Sequence, residues 1–304
     1  MPMRAAPAGA DARSLLLGVT DVLRMAGSPS PRLDAELLVS HAFGRDRAWL
    51  HSHPEALLAE PEADQLRAWV ERRSAGEPIA YIRGFKEWFS MRVITDPRAL
   101  IPRPETELLA ESAIDEIAAR LVRDDAPIAA WEVATGSGAV AVALAVRFRT
   151  SLALGRLRLG ATDVSPEALE LAEENLAARG VAGLVSLGCG DLLEPPVLPA
   201  PQQPDLVIAN LPYLTSAKVA SGVGSLAFEP RLALDGGADG LDLVRRLLAM
   251  LPRRLAPGGV ALLEIGDGQL PAVRQQVADL PIQLRLTALN DLAGVERVVR
   301  IERA

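Results

Sequence analysis

Apolar residues recur at three- and four-residue spacing between Ser14 and about Gly76, as Leu16, Val19 and Leu23, then Leu33, Leu37 and Leu38, then Leu66, Trp69 and Val70. That period predicts a small bundle of amphipathic helices. Ser30 before Pro31 starts one of them, Pro54 and Pro61 are expected to open two further short ones, and Gly27, Gly44 and Gly76 to end them. Residues 1–12, rich in Ala, Pro and Gly, read as a frayed tail, so the helical domain is placed at 13–79.

The pattern changes over 80–104. AYIRGFKEWFSMRVITDPRALIPRP concentrates aromatic residues that are otherwise scarce and reads as a hairpin or extended linker. A second domain, 105–304, alternates short apolar runs with amphipathic stretches. Strands are expected at Ala129–Ala134, Leu157–Thr162, Leu184–Leu187, Asp205–Asn210, Val260–Ile265, Gln283–Leu289 and Val295–Ile301. Helices are expected at Ala139–Phe148, Pro166–Arg179, Leu241–Leu255 and Gln269–Leu280. This alternation predicts an α/β fold with a doubly wound, mostly parallel seven-stranded sheet, its last two strands forming an antiparallel hairpin at one edge.

Composition narrows the chemistry. The 304 residues are 49% hydrophobic with a formal charge of -7, and both the first 80 residues and the remainder are net acidic. Binding driven by phosphate neutralisation is therefore not expected, nor is direct nucleic-acid contact. No apolar run is long enough to span a bilayer, and no signal peptide is read at the N-terminus. A cytoplasmic protein is expected. The three histidines, His41, His51 and His53, lie in the first sixth of the chain, and Cys189 is the single cysteine, expected to be a small buried residue. Any site in the larger domain must work without histidine, and no metal centre is expected.

Four strand ends carry polar features. The first expected strand runs through Glu132 and Ala134 into Thr135-Gly136-Ser137-Gly138 and then a helix, a turn whose backbone can approach a ligand closely. Asp163 ends the second, Asp191 follows the third and Asn210 ends the fourth. Ligands of open α/β sheets bind outside these ends, so the features converge on one crevice. Asp163 suits the hydroxyls of a ribose, which NAD and S-adenosylmethionine share. Glu132 beneath the turn could pair with the ammonium of a methionyl group, which favours S-adenosylmethionine. Asn210-Leu211-Pro212-Tyr213 can hold a planar amide or amino group: the Asn210 side-chain oxygen and the Leu211 carbonyl accept its two N–H bonds while Tyr213 packs on its face. Asp235-Gly236-Gly237 and Pro257-Gly258-Gly259 are read as turns without chemistry.

With these residues in view the chain resembles the peptide chain release factor glutamine methyltransferases, the PrmC/HemK family, from about Glu77 to the C-terminus. The most specific pieces are Glu77-Pro78-Ile79-Ala80-Tyr81, Ile101-Pro102-Arg103-Pro104-Glu105-Thr106-Glu107, Asn210-Leu211-Pro212-Tyr213 and Phe228-Glu229-Pro230-Arg231. The resemblance implies methyl transfer from S-adenosylmethionine to the side-chain amide of the glutamine in a release factor's Gly-Gly-Gln loop. It also implies a place for Arg103, Glu105 and Thr106 near the cofactor cleft and for Glu229 at the substrate loop; the helical domain, which the pattern alone leaves open between a structural cap and a docking surface, is expected to dock the substrate, and the protein is expected to be a monomer. Four positions depart from the family's pattern: Leu211 stands for the first proline of Asn-Pro-Pro-Tyr, Glu132 and Ala134 for the acid and first glycine of the turn, and Leu192 for an aromatic beside the adenine. If position 134 needs a left-handed backbone, alanine there costs about 1–2 kcal/mol.

Other classes stay open on sequence. An adenine N6 nucleic-acid methyltransferase would present the same clamp, but with a basic face. A glutamine methyltransferase acting on a ribosomal protein is argued against by the Ile101–Glu107 stretch. A binding protein with impaired catalysis is motivated by Ala134 and Leu211, and a nicotinamide-dependent oxidoreductase fits Asn210–Tyr213 least.

Overall fold

The computed structural model describes residues 9–123, 126–194 and 203–303. The chain divides into two compact units, Met1–Phe85 and Lys86–Ala304.

The first unit holds α1 (Ala12–Met25), α2 (Pro31–Ala42), α3 (Arg47–Ser52), α4 (Glu60–Ser74) and α5 (Ile79–Arg83). Residues 1–8 of the expected tail lie outside the described residues, but 9–12 are not frayed. Asp11 caps α1 by accepting the Ser14 N–H at 2.7 Å, and Ala12 is fully buried. Gly27, Gly44 and Gly76 all follow helices at positive φ, as expected of terminators. Pro54 opens no helix and lies in a turn, while Pro61 sits in the first turn of α4, a helix of 15 residues and not a short one.

The buried face of α2 also differs from the apolar period. Leu33 is exposed, whereas Asp34 and Glu36 are buried beside Ala35, Leu38 and Val39. Asp34 accepts from Arg73 Nε at 2.8 Å and from the hydroxyls of Ser28 and Ser30, and Glu36 pairs with Arg47 and Arg32. Partnered charges can replace apolar side chains on a buried face, and a hydrophobic period does not register them. Similarly, the expected linker begins inside helix α5, which ends at Gly84 with φ 76°.

A hairpin follows, of β1 (Phe85–Trp88), which begins on the last residue of the first unit, and β2 (Met91–Ile94). Its turn residues Phe89 and Ser90 both have positive φ, the geometry of a primed two-residue turn without its usual glycine. Helix α6 (Thr106–Arg123) is absent from the expected helices, although Leu109, Ala113, Ile117 and Leu121 recur along it at four-residue spacing; it packs through Leu109, Ala110, Ala113 and Ile117. Then come β3 (Ile128–Val133), α7 (Ala139–Arg147), α8 (Arg149–Ala153), β4 (Leu157–Asp163), α9 (Pro166–Ala178), β5 (Val185–Cys189), β6 (Leu206–Asn210), α10 (Ser216–Ala220), α11 (Asp242–Arg254), β7 (Val260–Glu264), α12 (Leu270–Ala278), β8 (Leu284–Asn290) and β9 (Glu296–Arg303). Every expected strand is present to within about two residues at each end.

The seven strands lie in the order β5-β4-β3-β6-β7-β9-β8, parallel except for β9, which is antiparallel to β7 and β8. Every residue of β3 and β7 is buried, and these strands read as apolar runs interrupted only by Glu132 and Glu264. Chain order reverses between β3 and β6, which opens a crevice at their carboxyl ends. Cys189, expected to be buried, is exposed, because it ends the edge strand β5.

Candidate active site

A cavity of about 310 Å³ occupies that crevice, within the range of small-molecule sites. Of the sequence-predicted site residues, it is lined by Arg103, Thr106, Glu132, Ala134, Thr135, Gly136, Ser137, Asp163, Asp191, Leu192, Asn210, Leu211 and Pro212. Gly138, Tyr213 and Glu229 do not line it. Gly138 has φ 74°, and a Cβ there would stand 2.9 Å from the Ala172 Cβ, so its role is to let α7 approach α9.

The turn after β3 is built as the sequence suggested, with one substitution. Ala134 has φ 55°, the left-handed region in which glycine is unstrained, and Leu192 has φ 54°. Burial is the main force on Glu132: it pushes the carboxyl up to about 8, opposed by the Thr135 hydroxyl, which donates to Oε2 at 2.9 Å. Asp163 is also raised by burial. Its carboxylate accepts the Gly136 N–H at 2.9 Å and the Ser165 N–H at 3.0 Å, tying the end of β4 to the turn. Asp191, half exposed, pairs with Arg246 at 2.6 Å.

These groups fit S-adenosylmethionine by donor chemistry. An anionic Glu132 suits an ammonium and Asp163 suits ribose hydroxyls. Leu192, Val164 and Ala168 supply an apolar wall.

At the end of β6, the Asn210 Nδ2–H donates to Thr106 Oγ1 at 3.0 Å, which leaves Oδ1 as the acceptor of its amide. Thr106 is buried at the start of α6, so besides lining the cavity it orients Asn210. Leu211 and Pro212 are buried and Tyr213 half-buried; the Tyr213 hydroxyl is pushed up to about 12, mainly by burial, and stays protonated at neutral pH.

The loop beyond Asn210 is held by residues the sequence reading left without a role. Gln269 accepts the Gly266 N–H at 2.8 Å and donates to the carbonyls of Tyr213 and Gly240, at 3.2 and 3.3 Å. A Cβ on Gly236 would stand 2.5 Å from the Pro212 carbonyl oxygen, so Asp235-Gly236-Gly237, read as a bare turn, is where backbone closes on the loop. The signal for Gln269 was a lone amide five residues after the buried Glu264, too small to weigh without the fold.

The Ile101–Glu107 and Phe228–Arg231 segments meet. Arg103 Nη2 donates to Glu229 Oε1 at 2.6 Å, the Ile101 N–H reaches Glu229 Oε2 at 3.2 Å, and Trp88 Nε1–H donates to the Arg103 carbonyl at 2.8 Å. Glu229 therefore acts on the cavity through Arg103.

Residues 14–84 match the PrmC N-terminal domain family. The release factor glutamine methyltransferase of Deinococcus radiodurans is 39% identical over 295 residues, covering 96% of this chain and 98% of that protein. The enzyme of the same name from Koribacter versatilis is 38% identical over 283 residues, covering 91% and 93%. Among solved structures, the hMettl16 catalytic domain in complex with MAT2A 3′UTR hairpin 6 shares the fold, with a TM-score of 0.52 and 15% identity over 80% of this chain and 82% of that one. Taken with a cavity lined by the strand-end acids and Asn210, near-full-length identity of this degree means that the chain belongs to the release factor glutamine methyltransferase family.

Proposed function

We propose that the chain transfers a methyl group from S-adenosylmethionine to the side-chain amide nitrogen of the glutamine in the Gly-Gly-Gln motif of peptide chain release factors. The observation that carries this reading is the orientation of Asn210: its N–H is committed to Thr106, so its oxygen is the atom available to an incoming amide. The Leu211 carbonyl would accept the second N–H of the substrate amide. Leu211 keeps that role without being proline, since Pro212 after it favours an extended backbone.

When bound, S-adenosylmethionine supplies an electrophilic methyl on sulfur. The protein's contribution is positioning. Glu132 and Asp163 anchor the two ends of the donor, and Asn210 with Leu211 aims the amide nitrogen, an alignment that can supply on the order of 7–11 kcal/mol. Transfer to the amide nitrogen would break the donor's carbon–sulfur bond and leave the nitrogen to release its proton afterwards, so no strong base is needed beforehand. Tyr213, held as a neutral hydroxyl, packs the loop and abstracts nothing. The reading takes the enzyme as a cytoplasmic monomer acting on a protein partner without direct nucleic-acid contact, in keeping with its charge of -7.

Incubation with methyl-labelled donor and a release factor, wild type and with the Gly-Gly-Gln glutamine replaced, tests this. Label on the wild-type factor alone is expected; label on both removes the glutamine assignment.

A further inference from the structure

Beside Asn210 lies a buried acid that the transfer, as described, does not use. Glu264 ends β7 directly opposite Asn210 on β6 and is 1% exposed. Among the described residues, both of its carboxylate oxygens are buried without a hydrogen-bond partner. Such a group is costly to fold around and calls for an explanation. The groups that face it are the Thr106 and Tyr213 hydroxyls, the Glu105 carboxylate and the Arg297 guanidinium. Backbone closes over the same corner: a Cβ on Gly266 would stand 3.2 Å from Tyr213 Cδ2.

The Thr106 hydroxyl links this acid to the clamp. Its oxygen already accepts the Asn210 N–H, so its own proton needs an acceptor, and Glu264 is a buried acceptor that faces it. We propose that Glu264 is a positioning residue for methyl transfer: ionised, it accepts a hydrogen bond from the Thr106 hydroxyl and thereby keeps Asn210 turned with Oδ1 toward the substrate amide. A protonated Glu264 is a weaker acceptor for that hydroxyl and can itself donate to the second lone pair of Thr106 Oγ1, so the hydroxyl is no longer held in the one orientation that receives the Asn210 amide. Burial pushes the Glu264 carboxyl up to about 7; Glu105 adds to the rise, and the two hydroxyls and Arg297 oppose it. The switch between the two arrangements thus falls near neutral pH. This inference rests on the reading of Asn210 as the acceptor of the substrate amide.

The test is the pH profile of kcat, measured on the full chain with saturating S-adenosylmethionine and a release factor, for wild type, Glu264→Gln, Thr106→Val and Asn210→Ala. In wild type kcat should rise through one ionisation near pH 7. In Glu264→Gln that limb should vanish, with kcat above pH 8 reduced about tenfold, the equivalent of one hydrogen bond, and donor affinity by calorimetry within about twofold of wild type. Should Glu264→Gln fail to fold, as judged by lost donor binding, Thr106→Val decides, because it must lose the same limb. A limb retained in whichever variant binds donor overturns the role of Glu264. Full activity in Asn210→Ala would instead overturn the amide clamp, so the two failures are distinguishable.

Discussion

Arg103 and Glu229, 126 positions apart, are joined by a hydrogen-bonded ion pair of 2.6 Å whose carboxylate side is fully buried. The pair fastens the segment before α6 to the loop after α10, so a residue inside the cavity is held by one outside it. Glu229→Gln leaves a partly buried guanidinium without its counter-charge. We expect a loss of about 2–4 kcal/mol in stability by denaturant unfolding, together with weaker donor binding. An unchanged unfolding midpoint would show the pair to be incidental.

Ala134 and Gly138 occupy the same turn with the same sign of φ, yet should respond oppositely to exchange. Ala134→Gly relieves left-handed strain while making the unfolded chain more flexible, and these terms, each about 1 kcal/mol, nearly cancel. Gly138→Ala meets both the strain and the backbone of Ala172, where a Cβ would come within 3.1 Å of Cα. A cost above about 2 kcal/mol is expected. Thermal unfolding of the two variants checks this; equal destabilisation would contradict it.

Donor binding should be coupled to proton release through Glu132. With its carboxyl pushed up to about 8, the donor-free site is mostly neutral at pH 7, whereas an ammonium is held by the anion. Affinity should therefore increase with pH towards about 8 and fall again above it, as the donor's own ammonium loses its proton. Calorimetry in two buffers of different ionisation enthalpy should find a proton released at pH 7 in wild type and none in Glu132→Gln. The folding linkage has the opposite sense. The folded state keeps a proton that the unfolded chain loses near 4.5, so this group's contribution to stability falls as pH rises from there towards 8.

Gln269→Ala removes one acceptor and two donated bonds from the corner containing Tyr213, Gly240 and Gly266. Loss of about 2–3 kcal/mol is expected, as is a fall in kcat larger than any change in donor affinity, because the loop that aims the amide loosens. Equal losses in both quantities would place Gln269 in general stability alone.

Much of this was legible in the chain itself. The short apolar runs located all seven strands, and the order of polar residues at strand ends located the crevice, because both follow from local geometry: a strand end faces the ligand side whichever strand lies next to it. The left-handed requirement at position 134 was also visible as a question, since a glycine turn carries its φ demands with it. The sequence could not pair Arg103 with Glu229, commit the Asn210 amide to Thr106, seat Glu264 opposite Asn210 or turn Gln269 onto the Tyr213 carbonyl. Each joins positions distant in sequence through strand order and loop closure, and hydrophobic periodicity holds no information on which buried polar groups will meet. The exposed Leu33 and the buried Asp34 have the same cause: an ion pair with Arg73, 39 residues away, decides which face of α2 turns inward.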